Sequence, residues 1–166
     1  MKALPLWQPW ASLVACGAKR VETRSWPTPT TILGERIAIY ATKGGLSKGD
    51  LHDLLDTEPF GSALRHLVPD AYAGAPTGKA LERALPRGVI VCTVRLARCA
   101  PITAEAGERL RVWDADEYAF GDYTAGRWAW VLEDVLCLDP PALAAPRGQG
   151  LFEWEDGLTL FDEVAS

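Results

Sequence analysis

Apolar and polar positions along the chain follow two rhythms, one of period two and one of about 3.6 residues, and the two occupy different stretches. Period two appears at 2–6, 36–40, 89–97 and 128–132. Ile37 and Ile39 alternate with Arg36, Ala38 and Tyr40. Ile90, Cys92, Val94 and Leu96 share one face, with Thr93 and Arg95 on the other. Trp128, Trp130 and Leu132 alternate with Ala129, Val131 and Glu133, and 135–138 continues beyond a bulge at Glu133-Asp134. Residues 151–154 read as a further short strand. Helical spacing marks Trp10, Leu13 and Val14. It recurs at Leu51, Leu54 and Leu55 behind a Ser47-to-Asp50 cap, and at Leu64, Leu67 and Val68 after Pro59. The segment 70–77 reads as loop, 78–85 as a turn or two of helix before Pro86, and the Pro- and Ala-rich 139–150 as loop.

These elements predict an α+β architecture, a small mixed β-barrel interrupted by a helical insertion over 44–87. The insertion reads either as a lid or as packing. Closing the sheet would leave no free edge, and a chain of this length is expected to make a single domain, 1–166. Large aromatics in alternating strands usually fill a barrel, so Trp130 and Trp154 are expected inside and Trp128 near the mouth. Trp7 has no clear place.

One segment is dense in chemistry. Residues 8–27 hold Gln8, Trp10, Lys19, Glu22, Arg24 and Trp26 within a helix, a turn and a strand. Gly17 ends the helix as a left-handed cap, and 21–26 reads as the strand before Pro27. Successive strand residues face opposite ways, so Glu22, Arg24 and Trp26 share a face, with Thr23 on the other. Lys19, in the turn feeding the strand, reaches the same corner. Taken alone, Lys19 and Arg24 read first as solvated charges paired to Glu22. The flanking tryptophans argue for a site instead. Aromatic faces stack bases, polar side chains read their edges, and cations hold phosphate.

Charge limits the partner. The chain carries a net charge of −5, which opposes a long phosphate-coating surface. The imbalance is local, with residues 1–48 at +5 and the remainder at −10. A basic pole on an acidic body suits a selective site for one or a few nucleotides. No run of about 18 apolar residues is present, so no membrane span is expected, and the N-terminus lacks a signal-peptide core. Cys16, Cys92, Cys99 and Cys137 show no metal-ligand spacing, and His52 and His66 lie apart from them. They read as small hydrophobes, mostly buried, in a reducing cytoplasm. No metal and no cofactor are expected.

The motif Gly17-Ala18-Lys19-Arg20-Val21-Glu22-Thr23-Arg24 resembles the G-x-K-x-x-E-x-R motif of the ASCH (activating signal cointegrator homology) family, within the PUA-like superfamily. The flanking Gln8-Pro9-Trp10-Ala11-Ser12-Leu13, Ser25-Trp26-Pro27 and Gly34-Glu35-Arg36-Ile37-Ala38-Ile39-Tyr40-Ala41 resemble it too. The resemblance is dense over 2–43 and looser at 88–99, 126–138 and 148–154. It implies a PUA-like pseudo-barrel with helices at its mouth, and binding of RNA, single-stranded nucleic acid or a modified nucleotide.

In that reading Lys19 and Arg24 contact phosphate or carbonyl oxygens, and Glu22 orients Lys19 or accepts from a base amino group. Trp10 and Trp26 form walls, and Gln8 reads an edge through its amide. Arg36 and Gln149 are further candidates, the latter between Gly148 and Gly150 where backbone approaches a ligand closely. Three other classes stay open. One branch of the family resembles amidohydrolases acting on N4-acetylcytidine, with a Lys and a Thr three residues later. Here that later position is Glu22, so Lys19 and Glu22 would be the catalytic pair. A ribonuclease and a protein-interaction module are the others. The sequence leaves the oligomeric state open.

Overall fold

The computed structural model describes residues 1–67, 83–144 and 150–155. Among the described residues, six strands form one sheet. They are β1 (Lys2–Leu6), β2 (Val21–Arg24), β3 (Arg36–Ala41), β4 (Val89–Pro101), β5 (Trp128–Leu143) and β6 (Phe152–Glu153). Their order is β2-β5-β4-β3-β1-β6. Only β1 and β3 run parallel among the described pairs. The helices are α1 (Trp10–Ala15), α2 (Lys48–Leu55), α3 (Phe60–Leu64), α4 (Ala104–Trp113) and α5 (Ala115–Ala119), with a 3₁₀ turn at Thr30–Ile32. The α+β class and barrel-like curl agree with the sequence. The ladder itself does not close, since β2 and β6 are its two ends among the described residues.

The long β4–β5 ribbon is the spine, and three register shifts bend it. At one of them Asp134 takes φ 51, the bulge position read from Glu133-Asp134. β5 then runs on to Leu143, pairing Ala142 with Ile90 and Leu143 with Val89. Strand therefore replaces the loop expected from 139 onward; the prolines there sit within a strand that bends. Val91 and Cys92 belong to the same core cluster while Ile90 joins the opposite one, because the shift between Ile90 and Cys92 breaks the period-two alternation.

Both sheet faces are covered at the centre. Leu4, Leu6, Ile37, Ile39, Val94, Leu96 and Trp130 pack on one side with Ala11 and Val14 of α1. Ala3, Ala38, Tyr40, Ile90, Phe152 and Trp154 pack on the other. Trp130 and Trp154 are thus interior, each donating its indole N–H to a backbone carbonyl, Trp26 O and Leu143 O. Trp128 is half-buried against the first cluster. Of the cysteines, only Cys92 is fully buried, and Cys137 is exposed.

The insertion packs. Ser47 and Asp50 make a reciprocal cap that starts α2. Leu51, Leu55, Phe60, Leu64 and Leu85 then bury against Leu13 of α1 and Phe120. Helix α1 is therefore held from two sides, by the sheet through Ala11 and Val14 and by the insertion through Leu13. Val68, the 70–77 loop, most of 78–85 and Gln149 lie outside the described residues.

Candidate functional site

Helix α1 ends at Gly17, whose φ of 78 allows the left-handed turn a side chain would strain. Gly17 N–H bonds to Val14 O at 3.0 Å and Lys19 N–H to Leu13 O at 2.9 Å. That turn throws the Lys19 side chain inward, where it is 1% exposed. Its Nζ donates to Val21 O at 2.6 Å and Phe120 O at 3.0 Å, and lies 3.7 Å from Glu22 Oε2. Burial pushes the Lys19 ammonium below its ordinary pKa, while the Glu22 and Glu117 carboxylates pull the other way.

Glu22 and Arg24 follow on β2, with Glu22 opposite Trp130 and Arg24 opposite Trp128. Arg24 Nε is 3.0 Å from Glu22 Oε1. The pair is ionic without hydrogen-bond alignment, so Nε has no hydrogen-bond partner. Arg24 Nη2 donates to Pro5 O at 2.8 Å. β1 and β2 do not pair in the sheet, so this one side chain spans the seam between them. The curl of the sheet brings the two strands together, and the unpaired seam is where a cleft opens.

That cleft has a volume of about 450 Å³. Its walls come from the end of β1 (Pro5, Leu6), Trp7, Trp10, the Lys19 turn, Glu22 to Arg24, and the turn after α5 (Ala119 to Asp122). Lys19, Glu22, Arg24 and Trp10 of the sequence candidates thus meet at one place. Thr23, expected on the opposite face, also borders it; its hydroxyl accepts the Asp122 N–H at 3.2 Å.

Three candidates lie elsewhere. Trp26 is beyond the end of β2 and packs edge-on against Trp130, ring centres 4.7 Å apart, because the strand stops at Arg24 and the alternation stops with it. Gln8 is fully buried. Its amide donates to Pro86 O at 2.8 Å and accepts Ser12 N–H at 3.2 Å, tying α1 to the insertion. Arg36 donates to Thr93 Oγ1 and Asp134 O on the bulge.

Sequence reasoning missed the segment 102–125, which carries no long apolar rhythm. Its caps were the available signal. Thr103 accepts from Ala106 N–H, and Asp114 from Glu117 N–H, at the starts of α4 and α5. Glu117 is buried, and its carboxylate accepts Arg20 N–H at 2.7 Å, Val21 N–H at 3.2 Å and the Tyr123 hydroxyl at 2.8 Å. It grips the donors of the same turn whose carbonyl Lys19 grips. Burial, and next the Glu117 carboxylate, push the Tyr123 phenol well above its ordinary pKa, so Tyr123 remains the donor.

Part of the basic pole is paired off in three dimensions. Arg20 pairs with Asp114, and Lys2 with Glu153 at 2.6 Å. Acids from the second part of the chain sit against cations of the first.

The ASCH-domain family model matches residues 4–142. The chain belongs to the ASCH family. Among solved structures, ASCH from Zymomonas mobilis is similar at 18% identity and a TM-score of 0.52, over 99% of this chain and 93% of that one. A serine-to-alanine variant of that Zymomonas mobilis protein gives 0.50 at 18% identity, over 99% and 94%. At such identity the likeness shows the fold, which is PUA-like. None of the curated proteins compared with this chain matches it. Membership of the ASCH family supports a nucleic-acid-related role in general terms. Among the described residues, no helix is long and apolar enough to cross a membrane.

Proposed function

We propose that this ASCH-domain protein binds RNA, single-stranded nucleic acid or a modified nucleotide, taking one nucleotide unit into the seam between β1 and β2. One observation carries the reading. Lys19, Glu22 and Arg24 line a cleft of about 450 Å³ together with Trp7, Trp10 and Phe120. That volume is within the range of small-molecule sites, and apolar walls around a few convergent polar groups are their usual make-up. The test is a binding and turnover screen with modified ribonucleosides and short single-stranded RNAs. Saturable binding without product supports the reading, and absence of binding across the panel refutes it.

A hydrolytic reading has one observation in its favour, the buried Lys19 Nζ at the cleft wall. In its neutral form the amine's two hydrogens match the two carbonyl acceptors, Val21 O and Phe120 O. The nitrogen lone pair is then available for acid–base work, and burial favours that form. Glu22, at the position of the amidohydrolase Thr, makes a different pair. Lys19→Arg keeps the charge but cannot give up or take on a proton near neutral pH. Turnover retained in that variant would exclude Lys19 as the acid or base.

A further inference from the structure

We propose that the base this cleft accepts is guanine-like, presenting two adjacent N–H donors, and that the phosphate of the ligand stays outside. The inference rests on the nucleotide reading above.

Electrostatics of the lining come first. Lys19 and Arg24 are its cations, and Glu22 and Asp122 its carboxylates. The cations are engaged within the protein. Lys19 Nζ has two carbonyls and Glu22 around it, and Arg24 has Pro5 O and Glu22. Asp122 lies 3.3 Å from Arg127. A phosphate binds where charged donors are unengaged and aimed at it. This lining is balanced in sign, and Arg24 Nε, which has no hydrogen-bond partner, is buried 3.0 Å from Glu22 Oε1, where it is not open to a phosphate.

Acceptors are what it does offer. A carboxylate has about four lone-pair sites. Lys19 lies on the Oε2 side of Glu22 and Arg24 on the Oε1 side, so each oxygen keeps a site for a ligand donor. Two parallel acceptors suit two parallel donors. The guanine edge has them, with N1–H beside the 2-amino group. Adenine and cytosine put a ring acceptor beside their amino group, and that acceptor would face a carboxylate oxygen. Uracil puts its single N–H between two carbonyls.

A stacking surface completes the site, and it is Trp7. It is 55% exposed at the cleft. Its ring lies against the backbone of Gly45, where a Cβ would come within 3.1 Å of Trp7 Cγ. The absence of a side chain there lets the indole lie as it does. Trp10, by contrast, turns edge-on to Phe60 at 6.3 Å.

The experiment measures affinities of the purified protein for guanosine, inosine, adenosine, cytidine, uridine and guanosine 5′-monophosphate by calorimetry. Guanosine is expected tightest, by roughly 5- to 150-fold over adenosine, cytidine and uridine, with inosine between. The monophosphate should gain less than the roughly tenfold one charge-assisted phosphate contact supplies. Glu22→Gln replaces one acceptor with a donor and should abolish the guanosine preference. Trp7→Ala, at an exposed residue, should weaken every nucleoside by roughly 5- to 150-fold while keeping their order. A different base preferred, a monophosphate gain above tenfold, an unaltered order in folded Glu22→Gln, or unaltered affinities in Trp7→Ala overturns the inference and leaves the nucleotide reading standing. No binding of any nucleoside or RNA overturns both.

Discussion

Glu117→Gln is the sharpest probe of how the cleft is held. The change keeps shape and removes one acceptor from a carboxylate with three donors around it. If the amide nitrogen takes the Oε2 position, Arg20 N–H loses its 2.7 Å acceptor and the Arg20 side chain, 3.7 Å away, meets a donor. If it takes the Oε1 position, the Tyr123 hydroxyl turns to accept from it, and Val21 N–H, at 3.2 Å, is left unpaired. The second arrangement is the less costly. It orphans one partly buried backbone donor and removes charge assistance from the bonds that remain, for a loss of about 2–4 kcal/mol. For a chain of this length that is a fall in Tm of roughly 4–16 °C. Urea unfolding of both proteins measures it. Tyr123→Phe in the native background should cost about 1 kcal/mol, and in the Glu117→Gln background a different amount, since the hydroxyl has exchanged its role as donor for that of acceptor. A loss below about 1 kcal/mol for Glu117→Gln, or strict additivity with Tyr123→Phe, would show that this carboxylate does not clamp the turn carrying Lys19.

Leu64→Ala, in the insertion, should cost about 2–5 kcal/mol, because Leu64 is fully buried in the cluster joining the insertion to Leu13 and Phe120; unchanged urea stability would restore the lid reading. Burial pushes the Cys92 thiol from its ordinary 9.0 up to about 12. The unfolded chain therefore loses that proton first, and over that window stability falls as pH rises, by up to about 1.4 kcal/mol per pH unit. Cys92→Ala should flatten the alkaline fall in urea midpoint, and equal slopes in the two proteins would refute the burial effect. Affinity for a short single-stranded RNA should depend little on salt, at a log–log slope no steeper than about −1, because the cleft's cations are engaged within the protein; a slope near −10 would mean an extended phosphate-binding surface in place of a compact cleft.

Much of the fold was legible in the chain because its causes are local. β1 agrees with the residues read for it, and β3 to within one. Gly17 announces the end of α1, Ser47 with Asp50 the start of α2, and Glu133-Asp134 the bulge. The convergence of Lys19, Glu22 and Arg24 was legible for the same reason, since a glycine turn and a two-residue period act over a few residues. Trp26 shows the limit of that reasoning. Alternation carries a side chain to the cleft only while the strand lasts, and the strand stops at Arg24.

By itself, then, the sequence determined the helix–turn–strand that presents Lys19, Glu22 and Arg24, the apolar faces of the strands, and the family. Tertiary structure alone decided what those groups face. It set Glu117, 97 residues away along the chain, against Arg20 N–H. It laid Phe120 O on Lys19, stretched Arg24 across to Pro5, and set Lys2 and Arg20 against Glu153 and Asp114. Hydrogen bonds and ion pairs form between groups that packing brings within a few ångströms. No local rhythm of apolar and polar residues records which distant segment that packing delivers.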